Sequence, residues 1–241
     1  MVFLDFDGVL FNTVREAYAV SMISTGKLNI IENIDFDSEH YIQFEKYRYL
    51  IGPAWNYKYL LKVLLENKQQ NIETNYYDLV KIAKKKDYNL FEKAFFNTRK
   101  QLQKNDFQKW LKLNTSYPFL LLIKKLLINY KNNFIIVTTK DKDTVYQLLQ
   151  LENIIFDKKA IYDKYDFEKY TNKSEIIKML MTSMEITNAI FIDDSRKHLE
   201  SCLKIKNLEL FQASWGYISS KDLNTFSDKE IFSKILKEGI N

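Results

Sequence analysis

Short apolar runs that alternate with helical patterns constrain this chain most, because such alternation predicts a parallel sheet covered by helices on both faces. The runs are typical of buried strands, and they lie at Val2–Leu4, Phe134–Val137, Ala189–Ile192 and Leu208–Phe211, with a weaker candidate at Ala160–Tyr162. Helical patterns follow them, at Phe119–Tyr130, Thr144–Leu151, Ser174–Met184 and Arg196–Ile205. The predicted fold class is therefore α/β, with a three-layer α/β/α core around a parallel sheet.

The stretch between the first and second of these strands breaks the alternation. It shows only helix-period segments, near Val14–Thr25, Ser38–Leu50, Ala54–Asn67, Tyr76–Lys85 and Tyr88–Leu113. Tyr117-Pro118 marks the return to the core, because Pro fits the first turn of the helix that follows. We therefore predict a core of residues 1–14 and 116–241 and an inserted all-helical domain of residues 15–115.

The composition excludes several classes of protein. Of the 241 residues, 46% are hydrophobic and 28% charged, as in globular proteins. The net charge of +5 is compatible with a nucleic-acid partner, but the longest basic run, Lys84-Lys85-Lys86, is typical of a solvated helix end, so we expect no nucleic-acid partner. The single cysteine, Cys202, cannot form an internal disulfide and suits a reducing cytosol. With no leader pattern and no apolar stretch long enough to span a bilayer, we expect a cytoplasmic protein without membrane contact.

The strongest chemical signal is the segment Val2 to Leu10, in which a predicted strand runs into Asp5, Asp7 and Gly8. Two carboxylates one residue apart at a strand end can offer one side chain and one backbone carbonyl to a hard cation. The first carboxylate can then attack phosphorus and the second can protonate the leaving oxygen. Gly8 allows a sharp turn. Alone, the segment is also compatible with a strand that ends in an ordinary Asp-Gly turn.

Three other segments carry weaker signals. Thr138 directly follows a predicted strand, where its hydroxyl can bind a ligand or simply cap a helix. Asp193 and Asp194 are adjacent carboxylates after an apolar strand, and their repulsion favours a bound cation. Lys173 opens a predicted helix, where a surface lysine is the alternative interpretation.

In this order the four segments resemble the signature of the haloacid dehalogenase superfamily. Asp5 with Asp7 is similar to its first motif, Thr138 to the second, Lys173 to the third, and Asp193 with Asp194 to the fourth. The resemblance extends to the segments Asn12-Thr13, Thr138-Thr139-Lys140, Tyr117-Pro118 and Trp215-Gly216-Tyr217. Arg48 to Pro53 resembles the specificity loop of the helical cap in phosphoglycolate phosphatase-like members. The inserted domain would then be a cap that closes over the site and selects the substrate.

The resemblance implies a Mg²⁺-dependent phosphatase for a small, sugar-phosphate-like phosphomonoester. Asp5 would be the nucleophile and Asp7 the acid and base, while Thr138 and Lys173 would neutralise the phosphoryl group. The implied metal residues are the side chains of Asp5 and Asp194 and the carbonyl of Asp7, supported by Asp193. The expected substrate-binding residues are Gly8, Thr139, Arg48 and Trp55, with the alternative that the aromatic residues near Arg48, Trp55 included, simply form the core of the cap.

Three departures and two rival functions stay open. His198 stands where many relatives have a further Asp, and a surface histidine is the expected interpretation. Thr139 replaces a more usual Asn. The interval from Lys173 to Asp194 is short, so Lys169 and Lys178 remain candidates for the third motif. A phosphomutase would use the same residues, and a non-catalytic binding protein could share the scaffold.

Overall fold

Two stretches of the chain, Met1–Asn12 and Thr115–Asn241, form one unit, and the stretch between them, Thr13–Asn114, forms another. The computed structural model describes residues 1–66 and 70–239. The end of the predicted helix at Asn67 lies outside the described residues. The first unit is called the sheet unit below, and the second the helical unit.

The sheet unit is organised by a parallel sheet. The strands of the described chain are β1 (Val2–Leu4), β2 (Phe11–Asn12), β3 (Thr115–Ser116), β4 (Phe134–Val137), β5 (Ile161–Tyr162), β6 (Ala189–Asp193), β7 (Leu208–Ala213) and β8 (Thr225–Phe226). Within the described residues, a six-stranded sheet has the order β5-β4-β1-β6-β7-β8, and its neighbouring strands are parallel. From β1 the chain adds β4 and then β5 on one side of the sheet, and it then adds β6, β7 and β8 on the other side. The predicted α/β fold class is confirmed.

A second, two-stranded sheet was not predicted. β2 and β3 pair antiparallel, with Phe11 opposite Ser116 and Asn12 opposite Thr115. Two residues per strand are too few to give a periodic pattern, so the sequence carries no signal for this pair. The pair joins the two segments of chain that leave and re-enter the sheet unit.

The helical unit consists of helices and their connections. Its α-helices in the described residues are α1 (Val14–Ser24), α2 (Glu39–Lys46), α3 (Asn56–Leu65), α4 (Ile72–Lys81), α5 (Lys85–Asn105) and α6 (Phe107–Lys112). The single helix predicted over Tyr88–Leu113 is wrong, because Asp106 has φ −148° and ψ 56° and separates α5 from α6. Asn and Asp favour such breaks because their side chains compete for nearby backbone groups. Inside the unit, the ring of Tyr57 stacks 5.6 Å from Phe44 and 5.4 Å from Phe95.

A buried ion pair ties α1 to α5. The guanidinium of Arg99 donates to both carboxylate oxygens of Glu16, at 2.6 and 2.9 Å, and the indole of Trp110 donates to the same carboxylate at 3.4 Å. Glu16 and Arg99 are both buried. Such a pair contributes little net stability over an apolar pair, but the loss of one partner leaves a buried charge uncompensated.

Helices cover both faces of the parallel sheet. They are α7 (Pro118–Asn129), α8 (Lys142–Leu151), α9 (Lys173–Ser183), α10 (Arg196–Cys202) and α11 (Asp228–Lys234). Phe3 and Phe191 point to one face and pack in a core cluster with apolar residues of α9 and α10. Val2 points to the opposite face, because side chains alternate along a strand, and it approaches Gly239 in a turn of π-helix after α11.

The residues after Ser220, which the sequence analysis assigned to no element, complete this fold. They add β8 at the edge of the sheet and then α11, whose Ser227 and Glu230 form a capping box. Ile231 and Ile235 are fully buried. In the described part of the chain, no helix combines the length and the apolar character needed to cross a bilayer.

Candidate active site

The site lies at the carboxyl ends of three neighbouring strands. Thr138 follows β4, Asp5 follows β1, and Asp193 ends β6. These strands are adjacent and parallel, so their ends share one edge of the sheet. The chain order reverses between β1 and β6, and open α/β sheets bind ligands at such a switch point.

Asp5 and Lys173 form the centre of the site. The ammonium of Lys173 lies 2.8 Å from Oδ2 of Asp5, and the backbone N–H of Phe6 donates to Oδ1 at 2.7 Å. Both side chains are buried. Burial raises the pKa of Asp5 to about 6, although the charge of Lys173 opposes the rise. Of the three candidate lysines for the third motif, Lys173 is buried, whereas Lys169 and Lys178 are exposed.

Asp193 holds Lys173 from the other side. Its Oδ2 lies 2.8 Å from the Lys173 ammonium, and its Oδ1 accepts from the Ser195 backbone N–H at 2.8 Å. Burial alone would raise the pKa of Asp193, but the charges of Lys173 and His198 lower it overall. Burial likewise disfavours the charged form of Lys173, and the two carboxylates more than offset it, so its pKa is raised. The result is a lysine bound between two carboxylates.

His198 differs from its expected place on the surface. Its Nδ1 lies 3.1 Å from each carboxylate oxygen of Asp193, and the side chain is only 28% exposed. The sequence signal available was the spacing from Asp193, which places His198 in the first turn of the helix after the strand.

Asp7 has a lysine partner that the sequence analysis did not anticipate. The ammonium of Lys140 lies 3.2 Å from Oδ1 of Asp7, and the Lys140 side chain is only 1% exposed. The backbone N–H of Lys140 donates to Oγ1 of Thr138 at 3.2 Å, while Thr139 between them is exposed. The available signal was a lysine shortly after a buried strand, where a surface lysine is the usual interpretation.

Two glycines make room for Asp194. Gly8 has φ +87°, and a Cβ at this position would lie 2.0 Å from Oδ2 of Asp194. A Cβ on Gly216 would lie 2.3 Å from Cβ of Asp194 and 2.4 Å from the carbonyl oxygen of Gly8. The backbone N–H of Tyr217 donates to Oδ2 of Asp194 at 2.7 Å. Close packing of the first and fourth motifs therefore depends on the absence of side chains at both positions.

The charges of the site suit a divalent cation. Among the described residues at this edge, the four carboxyl groups of Asp5, Asp7, Asp193 and Asp194 outnumber the two buried lysines, Lys140 and Lys173. A set of carboxylate and carbonyl oxygens is the donor set that Mg²⁺ prefers. These residues therefore fit the implied ion.

A second grouping of possible ligands carries less weight. In the described chain, ligand atoms of Asp5, Asp193 and His198 lie within 4.8 Å of one another. However, the ammonium of Lys173 already lies 2.8 Å from an oxygen of both carboxylates. The positively charged ammonium of Lys173 itself occupies this space. We therefore regard Asp5, Asp193 and His198 as the residues that hold Lys173 and not as a metal site.

Arg48 and Trp55, the expected substrate-binding residues of the cap, make contacts within the helical unit. The guanidinium of Arg48 lies 5.1 Å from the centre of the Tyr57 ring and donates to the carbonyl of Ile51 at 3.4 Å. The ring of Trp55 stacks on Tyr88 with centroids 4.6 Å apart. Both side chains are partly exposed.

The segment between them is fixed by neighbouring side chains. The hydroxyl of Tyr76 donates to the carbonyl of Leu50 at 3.0 Å, and Oδ1 of Asn56 accepts from the N–H of Gly52 at 3.1 Å.

Comparison with protein-family models gives no match to the chain, and comparison with curated proteins gives none either. Solved structures are similar over almost the whole length. A predicted phosphatase from Clostridium acetobutylicum matches with a TM-score of 0.59 and 21% identity, over 98% of this chain and 97% of that one. A haloacid dehalogenase-like hydrolase from Streptococcus pneumoniae matches with a TM-score of 0.56 and 14% identity, over 97% of each chain. The chain has the haloacid dehalogenase fold.

A third similar structure is assigned a different activity. A protein from Thermotoga maritima assigned as a beta-phosphoglucomutase matches with a TM-score of 0.56 and 14% identity, over 98% of each chain. At these identities the likeness lies in the backbone. The fold agrees with the haloacid dehalogenase resemblance that the sequence motifs indicated.

Proposed function

We propose that this chain is a Mg²⁺-dependent phosphatase that hydrolyses a small phosphomonoester through a phosphoryl group carried on Asp5. The observation that carries the proposal is the buried pair at the end of the central strand, where the Lys173 ammonium lies 2.8 Å from the Asp5 carboxylate. A carboxylate alone in such a place would tend to neutralise, whereas this one keeps a fixed cation beside it. The solved structure of a predicted phosphatase with the same fold supports the proposal.

In the first step, a carboxylate oxygen of Asp5 attacks the phosphorus of the substrate. The new bond joins Asp5 to phosphorus, and the bond from phosphorus to the leaving oxygen breaks. With a pKa of about 6, Asp5 is mostly ionised at neutral pH, as a nucleophile must be. Asp7, which is protonated in the substrate complex, gives its proton to the leaving oxygen. Lys173 and the hydroxyl of Thr138 stabilise the negative charge of the phosphoryl oxygens.

In the second step, water attacks the phosphorus of the aspartyl phosphate. Asp7, now a carboxylate, takes a proton from this water, and phosphate leaves as Asp5 is restored. The pairing of Asp7 with Lys140 holds its side chain at the same edge of the sheet as Asp5. One residue thereby acts as acid and then as base.

Asp5, Asp194 and the backbone carbonyl of Asp7 would hold the magnesium ion. When bound, the ion supplies positive charge that offsets repulsion between Asp5 and the phosphate. The excess of carboxyl groups over lysines at this edge supports this assignment. Asp193, by contrast, has its oxygens engaged by Lys173, Ser195 and His198.

We further propose that the helical unit acts as a cap that selects the substrate. Arg48 at the start of the fixed segment supplies a guanidinium, and Trp55 after it supplies an aromatic ring for substrate binding. These groups suit a polar organic part, such as a sugar, on a small phosphomonoester.

A phosphomutase is the second candidate, because a protein assigned as a beta-phosphoglucomutase shares the fold. It would return the phosphoryl group to its substrate instead of releasing it. Incubation with sugar phosphates separates the two functions: free phosphate indicates a phosphatase, and an isomerised sugar phosphate indicates a mutase.

The test of the proposed function is hydrolysis of p-nitrophenyl phosphate with Mg²⁺, followed by a panel of small phosphomonoesters. The wild type should be active, EDTA should stop it, and Mg²⁺ should restore it. Asp5→Asn should lower kcat by on the order of a thousandfold or more, because the nucleophile is lost. Asp78→Asn, at an exposed carboxylate of the helical unit, is the matched control and should be fully active.

Activity that survives in a purified Asp5→Asn variant with an unchanged circular dichroism spectrum would show that another group is the nucleophile. Activity that survives complete chelation would exclude the oxygen-ligand metal site.

A further inference from the structure

His198 approaches the site from the helix that follows the fourth motif. It lies in the first turn of α10, and its backbone N–H donates to the carbonyl of Ser195 at 3.0 Å. This turn brings Nδ1 to 3.1 Å from both oxygens of Asp193. The motifs assign His198 no role.

The chemistry of the contact identifies the donor. The Asp193 carboxylate already accepts hydrogen bonds from the Lys173 ammonium and from the Ser195 N–H, so it is ionised and can only accept. An unprotonated Nδ1 is also an acceptor, and two acceptors repel at this distance. Nδ1 of His198 therefore carries a proton, and its N–H donates a hydrogen bond to the Asp193 carboxylate.

The donors fix the orientation of the Asp193 carboxylate. Oδ1 faces Ser195 and His198, and Oδ2 faces Lys173 and His198. The side-chain torsion of Asp next to its carboxylate is intrinsically broad, so neighbours must hold it. His198 bridges both oxygens and so resists this rotation.

The orientation is passed on to the nucleophile. Oδ2 of Asp193 lies 2.8 Å from the Lys173 ammonium, which lies 2.8 Å from Oδ2 of Asp5. We propose that His198 is a positioning residue, whose Nδ1–H orients Asp193 and thereby places the Lys173 ammonium beside Asp5. For its effect on turnover, this inference rests on the proposed function.

A spectroscopic test does not depend on turnover. The chain has two histidines, so ¹⁵N-labelled imidazoles give a simple spectrum, and His40→Gln assigns it. We expect the His198 Nδ1 signal to be of the protonated type in the wild type at neutral pH. A proton on Nε2 alone would overturn the inference.

The kinetic test compares three substitutions. In His198→Asn the amide nitrogen takes the place of Nδ1, whereas in His198→Gln it takes the place of Nε2, and His198→Leu has no donor. We expect His198→Leu and His198→Gln to lower kcat about 10- to 100-fold, the range found for residues that orient the ligands of a metal, with KM for p-nitrophenyl phosphate little changed. His198→Asn should stay within about threefold of the wild type.

The neighbouring exposed residue supplies the control. Lys197→Ala should leave kcat and thermal unfolding unchanged. Equal losses in the Asn and Leu variants, or full activity in the Leu variant, would overturn the inference. If the wild type itself releases no phosphate, the proposed function fails, and the spectroscopic result alone decides the role of His198.

Discussion

Alanine at position 8 should disable the site by displacing Asp194. Gly8 has φ +87°, which an L-residue adopts at a cost of roughly 1–2 kcal/mol. For a chain of this size, that lowers Tm by about 2–8 °C. The new Cβ would also lie 2.0 Å from Oδ2 of Asp194, and ordinary contact begins at 3.4 Å, so the two must separate by 1.4 Å. Misplacement of a catalytic group by about 1 Å lowers turnover by about 100-fold, which is the expected loss of kcat/KM.

Two other glycines separate these effects. Gly26 has φ +69° and nothing within 4 Å of its hypothetical Cβ, so Gly26→Ala tests backbone strain without crowding. It should lower Tm as Gly8→Ala does and keep full activity. Gly216 is not among the glycines with positive φ, but its Cβ would lie 2.3 Å from Asp194, so Gly216→Ala tests crowding alone. Gly216→Ala should lose activity to the same extent as Gly8→Ala.

The assay is hydrolysis of p-nitrophenyl phosphate over a Mg²⁺ titration, with Tm measured on the same samples. If Gly8→Ala were as active as Gly26→Ala, the close approach of the first and fourth motifs would have no part in catalysis.

Three more outcomes can be checked. Arg99→Leu leaves Glu16 buried without its partner and should lower the free energy of unfolding by about 3–5 kcal/mol in a urea titration, whereas an unchanged midpoint would contradict the buried pair. Burial raises the pKa of Cys202 from 9.0 to about 11. The neutral thiol therefore stabilises the fold below pH 9, and this contribution is lost as pH rises towards 11. A thiol reagent at about pH 8 should react with Cys202 only after unfolding, and rapid reaction in the native state would refute this. Arg48→Ala and Trp55→Ala should lower kcat/KM for the best substrate of the panel about tenfold, or about 1.4 kcal/mol, with much less effect on p-nitrophenyl phosphate, and equal losses on both substrates would contradict a role in selectivity.

The parallel sheet was predictable because buried strands leave runs of apolar residues. β1 and β4 have the predicted bounds, and β6 and β7 extend further, since Asp193 pairs with Gln212 beyond the apolar run. β8 was not predictable, because Thr225–Phe226 is short and partly exposed. Local patterns thus locate the strands that are buried on both faces. Of the two short edge strands, they gave a weak signal for β5, whose Ile161 is fully buried, and none for β8.

The site was predictable in its place but not in its contacts. Motifs that follow neighbouring parallel strands must meet at one edge, and this holds for Thr138, Asp5 and Asp193. The spacing places Lys140 shortly after β4 and His198 in the first turn of α10. It does not show that Lys140 turns inward to Asp7 or that His198 turns to Asp193, because side-chain direction depends on the packing around it. The catalytic roles of the motif residues stay predictions.

The antiparallel pair β2–β3 makes the helical unit replaceable. Asn12 and Thr115 are paired neighbours, so the stretch between them begins and ends at the same point of the sheet unit. A two-residue hairpin turn can close the same gap, and loop-closure entropy grows only slowly with the length of an insertion. The sheet unit can therefore accept inserted domains of very different size at this point without a change in its own register. Under the proposed role of the helical unit in substrate selection, exchange of the insertion would change the substrate range while Asp5, Lys173 and Asp194 stay where they are.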